Sequence, residues 1–306
     1  MTANAGWRSV AKDIPGARRA VNAARTLRRQ VRTAYLKTRY PDGTLLQCGP
    51  LRIFCDFTDP TYAWYDGLTP NLELDMEVVE RLVEQSQGML LLDVGAHCGF
   101  FTALLARCAA SRPGSRVIAI EPDSRHFRCL ERTVAAQGST VVTLVRGAVS
   151  DHDGRIDLYQ TGTPCLHTYP EDGAEQVDSV RAYTVDSIAQ EFAPGEKVGF
   201  LKVDVDGAEP SVVAGARRTL LEDDAILLME FAPTQLRASG TDPLAFLSDQ
   251  LQQFEVYAVS YRDFTISRIT LPGAAAMVAE IGDNISDLIV SRRPLDLSRL
   301  RQRRTR

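Results

Sequence analysis

Residues 90–94, LLLDV, form an apolar run that ends on an acid and opens into a loop with two glycines, GAHCG. A run this short and greasy suits a strand buried on both faces, the condition of a parallel sheet covered by helices. The pattern recurs along the chain. Apolar runs predict strands at 90–94, 116–121, 141–146, 198–204, 225–231, 254–260 and 286–291. Periodic segments between them predict helices at 99–110, 123–137, 208–221 and 243–253. Strand and helix in alternation predict an α/β fold, a doubly wound and mostly parallel sheet.

Around that core the chain divides unevenly. Residues 16–38 space apolar positions three or four apart between arginines, which predicts an amphipathic helix within a basic extension, 1–42. The main domain then runs 43–291. It begins with a β-hairpin at 43–57, turning on Gly49-Pro50, and a helix over NLELDMEVVERLVEQ. Residues 155–185 interrupt the alternation with a second hairpin around a polar loop, and 292–306 form a basic tail.

Charge follows the same division. Residues 41–290 hold 18 basic and 37 acidic residues, whereas 1–40 hold ten Lys/Arg against one acid and 291–306 seven Arg against one acid. An acidic body argues against a continuous nucleic-acid groove, so nucleic acid is not an expected partner. The basic ends suit an anionic membrane surface, a second copy in a homo-oligomer, or the protein's own acidic face. No apolar stretch reaches the roughly 18 residues of a membrane span. The first residues lack the apolar core of a secretory signal, so the expected location is cytoplasmic. Six cysteines without a C-x-x-C pair read as thiols of a reducing compartment. The four histidines show no zinc-type spacing with them, and no metal is expected.

In a doubly wound sheet, ligands bind beyond the carboxyl ends of the strands, where the strand order reverses. Asp93, Gly95, Ala96, His97, Gly99, Phe100 and Thr102 all belong to the first such end. The spacing D-x-G-x-x-x-G is not the dinucleotide fingerprint, because position 97 is His where a glycine is required. A pyrophosphate suits bare N–H groups, whereas a carboxylate at a strand end suits a cation. S-adenosylmethionine is such a cation, with its sulfonium and ammonium. Glu121 and Pro122, 22 and 23 residues past Gly99, close the second strand, and an acid there can hold both ribose hydroxyls. Gly147 and Ala148 after the third strand leave space for an adenine.

With these motifs on hand, the chain resembles the FkbM family of S-adenosylmethionine-dependent methyltransferases. LLDVGAHCGFFT, VIAIEPD, GAVSDHDGRIDLY, YTVDSI, FLKVDVDGAE and LLMEF occur in the family's order across roughly 43–260. The resemblance implies a class I, seven-stranded sheet whose last strand is antiparallel. It implies methyl transfer, usually to oxygen, on a sugar, glycan, polyketide or other small-molecule acceptor of secondary metabolism. His97 and Asp206 stand where the family often carries Asn and Glu.

A positioned base typically contributes 10²–10⁴-fold when an alcohol must lose its proton. Lys202, Asp204 and Asp206 alternate onto one face of the fourth strand, and Glu230 ends the next. Asp204, where the strand should reach the cofactor, is both a cofactor-binding and the leading catalytic candidate, ahead of Glu230, Lys202 and the loop residue His167. Plainer assignments stay open: Lys202 as an ion-pair partner, Asp206 and Glu209 as a capping box, Asp186 as the cap of the helix after it. So do an N-methyltransferase acting on an amine or peptide, and a non-catalytic module that binds S-adenosylmethionine.

Overall fold

In the computed structural model the central strand, β3 (Leu90–Val94), is buried along its whole length. The description covers residues 27, 31–59, 62, 70–160, 166–170, 173–261, 265–298 and 300. Of the expected N-terminal helix, residues 31–39 are helical; most of the rest of 16–38, and 301–306 of the tail, lie outside the described residues.

β1 (Thr44–Cys48) and β2 (Leu51–Cys55) form the first hairpin, and β4 (Arg116–Glu121) and β5 (Val142–Arg146) follow β3. A second sheet consists of β6 (Ala148–Val149), β7 (Gly154–Gln160), β8 (Leu166–His167) and β9 (Glu175–Tyr183). The main sheet is completed by β10 (Val198–Val203), β11 (Ile226–Phe231), β12 (Glu255–Ser260), β13 (Thr265–Ile269) and β14 (Ser286–Ser291).

The main sheet runs β13-β12-β14-β11-β10-β3-β4-β5. β11 through β5 are mutually parallel, and β14 lies antiparallel between β11 and β12. This is the expected seven-stranded arrangement with one addition. β13 pairs antiparallel with β12 and extends the edge to eight strands. TISRI alternates only weakly and stays half exposed, so it lacks the apolar run that marks the interior strands.

Both faces of the sheet are covered. Leu92, Val94, Ile118 and Leu201 pack with helices Val185–Phe192, Pro243–Gln250 and Leu271–Ile281 on one face. Leu91, Val117 and Phe200 pack with helices Pro70–Gln85 and Phe100–Ala110 and the β1–β2 hairpin on the other. The hairpin is fastened to helix Ser124–Gln137 by the Phe54 N–H, which donates to Thr133 Oγ1 at 2.8 Å. The single helix expected over 208–221 is broken into Glu209–Ala214 and Arg217–Leu221. Gly215 lies in the break, where a Cβ would stand 2.1 Å from the Ser150 carbonyl. Among the described residues no helix is long and apolar enough to cross a membrane, and no disulfide joins the cysteines.

Candidate active site

Strand order reverses between β3 and β10, and the C-terminal ends of β3, β4, β5 and β10 open on one cleft. Gly95 and His97 enter it after β3, Glu121 and Pro122 at β4, Gly147 and Ala148 after β5. Asp204 and Asp206 enter after β10, and the second sheet supplies Leu166 and Thr168. The inserted hairpin therefore borders the cleft. Four carboxylates line it (Glu121, Asp123, Asp204 and Asp206), and among the described lining residues there is no Lys or Arg.

The loop after β3 is built by left-handed backbone at Gly95 (φ 80), His97 (φ 51) and Gly99 (φ 89). Gly95 is required by close packing of backbone: a Cβ there would sit 1.8 Å from the Asp204 carbonyl oxygen. Gly99 serves a neighbour rather than a ligand. Its missing Cβ makes way for Leu130 of helix Ser124–Gln137, 2.7 Å from where that atom would be. Ala96, Gly99, Phe100 and Thr102 are behind the cleft wall and do not line it. Asp93 is also behind it, 1 % exposed, accepting a hydrogen bond from the Thr102 hydroxyl. Burial pushes its pKa up to about 6, against the pull of Thr102 and Lys202.

Glu121 organises the β4 side. Its Oε2 accepts the His97 N–H at 2.8 Å and its Oε1 the Asp123 N–H at 2.9 Å, which ties the β3 loop to the start of the next helix. Asp123 caps that helix, accepting the N–H groups of Arg125 and His126. His126, 4 % exposed, places Nε2 3.0 Å from Asp59 Oδ2 and Nδ1 3.8 Å from Glu121 Oε1. Its burial opposes a charge, yet Asp59 and Glu121 outweigh that and raise its pKa to about 10. Sequence spacing gave no sign of this grouping, because its members come from separate segments.

On the β10 side, Lys202 is 1 % exposed, with Nζ 3.6 Å from Asp204 Oδ2 and 3.6 Å from Asp287 Oδ1. The ammonium also stands 4.8 Å from the Phe101 ring centre. Burial works against its charge, but Asp287, Asp204, Glu230 and Asp75 hold its pKa above the usual lysine range. Glu230 is the penultimate residue of β11, one place past Met229, the partner of Val203 in β10, and it faces Asp287 of β14 in register. Burial, then the neighbouring Asp204, pushes its carboxyl well upward. The Tyr261 hydroxyl faces Asp75 Oδ1 at 2.7 Å and Asp287 Oδ2 as well.

Lys202 is thus the ion-pair partner of Asp204. His167 is 6 % exposed and does not line the cleft, although its neighbours Leu166 and Thr168 do. Two capping expectations are corrected. Asp186 accepts the N–H groups of Arg218 and Thr219, both at 2.9 Å, while Thr184 and Ser187 form the box at its own helix. Asp206 does not cap the helix after β10: its Oδ1 accepts from Gln235, and Glu209 reaches back to the Val205 and Gly207 N–H groups.

The model of the FkbM methyltransferase domain matches residues 93–256. The transmembrane O-methyltransferase homolog of Rattus norvegicus is 36% identical over 74 residues, 24% of this chain and 28% of that protein. The chain thus spans under a third of that relative's length. The 2-O-methyltransferase NoeI of Sinorhizobium fredii is 26% identical over 208 residues, 62% of this chain and 81% of that one. The crystal structure of an FkbM methyltransferase from Methylobacillus flagellatus aligns with a TM-score of 0.41 at 18% identity, over 67% of this chain and 43% of the other. With the family model matched over more than half of its length, the chain belongs to the FkbM methyltransferase family.

Proposed function

We propose that the protein is an S-adenosylmethionine-dependent O-methyltransferase, acting on a hydroxyl of a sugar, glycan or polyketide-type small molecule. The observation that carries this reading is the cleft's charge: among its described lining residues four carboxylates stand against the single His126 imidazolium, with no lysine or arginine. Such a lining repels a phosphate-bearing cofactor and suits a cationic nucleoside. When bound, S-adenosylmethionine supplies an electrophilic methyl group on a cationic sulfonium. Glu121 would accept hydrogen bonds from the ribose hydroxyls, and Gly147 and Ala148 border the space for the adenine. Gly95 brings the β3 loop against Asp204, so the methionine end and the acceptor meet on the β10 side.

There Asp204 is the group that receives the acceptor's proton. Its side chain is 35% exposed, with the Lys202 ammonium behind it at 3.6 Å. Glu230 borders it from β11 and orients the acceptor hydroxyl. Aligning acceptor and methyl group supplies much of the acceleration in an in-line displacement. Support for oxygen as the acceptor atom comes from the relatives named as O-methyltransferases, one of them a 2-O-methyltransferase.

Two measurements test this. Titration calorimetry should show S-adenosylmethionine and S-adenosylhomocysteine binding while ATP and NAD do not. Tritium transfer from labelled S-adenosylmethionine should then appear on hydroxylated sugars or polyketides and not on the matched amines. Binding of ATP or NAD in place of S-adenosylmethionine overturns the cofactor; label on amines alone overturns the acceptor.

A further inference from the structure

We propose that Asp59, His97 and His126 form a binding site for a divalent transition metal such as Zn²⁺, which clasps three segments at the edge of the cleft. One ligand atom from each of these residues lies within 4.8 Å of the other two. Asp59 comes from the segment after β2, His97 from the loop after β3, and His126 from the helix after β4. Asp59 and His126 are each 4 % exposed. The inference rests on this geometry alone and holds whatever nucleoside or acceptor the cleft takes.

Three details favour an ion. Ligands about 2.1 Å from one tetrahedral metal lie about 3.4 Å apart. His126 Nε2 and Asp59 Oδ2, 3.0 Å apart, are already near that spacing, and a His97 ring nitrogen lies within 4.8 Å of a ligand atom on each residue. Second, His126 turns its other nitrogen toward Glu121 at 3.8 Å and Asp123 at 3.9 Å. A carboxylate behind the distal nitrogen of a ligating imidazole is the usual support of such a ligand. Third, the His97 and His126 ring centres are 4.0 Å apart. The Tyr62 ring meets His97 edge-on at 5.0 Å and His126 at 6.1 Å, and within this packed group both imidazoles keep a nitrogen within 4.8 Å of the Asp59 carboxylate. A shared divalent ion uses both imidazoles.

Two imidazoles and one carboxylate suit Zn²⁺ or Co²⁺ rather than Mg²⁺ or Ca²⁺, which prefer oxygen alone. Asp59, Glu121 and Asp123, all close to His126, would balance the charge of the ion. The clasp would then fix the β3 loop and Glu121, both of which border the cleft.

The test uses the untagged full chain, stripped with a chelator and without any nucleoside. Dialysis against Zn²⁺ followed by elemental analysis should show stoichiometric metal, and Co²⁺ should give ligand-field bands in the visible. His97→Asn keeps a residue that tolerates left-handed backbone, so the fold survives; it should lose metal affinity by more than about 100-fold. His126→Gln should lose it as well. A wild-type chain that holds no Zn²⁺ after dialysis, or equal metal content in wild type and His97→Asn, overturns the proposal.

Discussion

Lys202 Nζ stands 3.6 Å from Asp204 Oδ2, joining a side chain that is 2% exposed to one that is 35% exposed at the cleft. The ammonium therefore couples the interior of the sheet to its working end. It is surrounded by Asp287, Glu230 and Asp75 in addition. Such a group is worth most as a counter-charge, because removing it strands several carboxylates in a poorly hydrated place.

Lys202→Met should destabilise the protein by about 3–5 kcal/mol at pH 8, the usual penalty for breaking a buried ion pair. At pH 5 the loss should shrink, because the stranded carboxyls can take up protons. Urea denaturation at both pH values measures this. Equal stability of variant and wild type at pH 8 would show that the ammonium is not compensating the carboxylates.

The Tyr261 hydroxyl has one proton and two carboxylate neighbours, Asp75 and Asp287. Burial, then the Asp287 charge, pushes the Asp75 pKa up to about 7. A carboxyl raised on folding stabilises fully below its unfolded pKa near 3.8 and loses that contribution as pH rises through about 7. Asp75→Asn should therefore gain on the wild type between pH 4 and pH 7. Thermal melts across that window check it; a constant difference would mean that Asp75 does not titrate there.

Much of the scaffold was legible, because buried parallel strands are written as continuous apolar runs such as LLLDV. The glycine loop was legible as a loop, but its reasons were not. Gly99 is set by Leu130, and Gly147 leaves room for the Tyr183 ring and the Arg181 carbonyl as well as bordering the cleft. Asp204 and Glu230 could be found from strand-end position. Asp75, Tyr261 and Asp287 could not, since Tyr261 meets partners 186 and 26 residues away. His126 was hidden in the same way: its meaning depends on Asp59, 67 residues earlier. Periodicity reports which face a residue occupies, and only the folded chain reports who stands opposite.

Gly95→Ala tests the close approach of the two loops. Its Cβ would combine left-handed backbone strain with a 1.8 Å clash against the Asp204 carbonyl. Gly138→Ala is the control, since Gly138 has φ 64 and nothing within 4 Å of the added atom. The control should cost about 1–2 kcal/mol, the strain alone. Gly95→Ala should cost clearly more and abolish cofactor binding. Equal melting temperatures for the two variants would remove the steric argument.

Glu121→Gln removes one of two oxygens that hold N–H groups, and it sets an amide NH₂ against either His97 or Asp123. Losing a hydrogen bond to a charged group costs about 1.5–3 kcal/mol. S-adenosylmethionine should bind roughly 10- to 100-fold more weakly by calorimetry. Unchanged affinity would exclude Glu121 from the nucleoside site.

Asp204 lines the cleft and Glu230 is the buried carboxyl whose titration Asp204 influences, so their substitutions should separate base from positioning group. Asp204→Asn keeps the side chain's shape and leaves Lys202 its contact with Asp287 at 3.6 Å, so the fold should hold. It removes the group that takes the acceptor's proton, and a positioned base contributes about 10²–10⁴-fold. Single-turnover methyl transfer at saturating S-adenosylmethionine should fall by that amount, with cofactor affinity nearly intact. Glu230 lies in a more buried place, where burial and Asp204 favour its neutral form. A neutral carboxyl can donate a hydrogen bond to the acceptor but cannot serve as its base. Glu230→Gln keeps a donor there, so turnover should drop by less than about tenfold, and the loss should appear in acceptor KM. If Glu230→Gln is the inactive variant and Asp204→Asn turns over normally, the proton goes to Glu230 and the assignment is reversed.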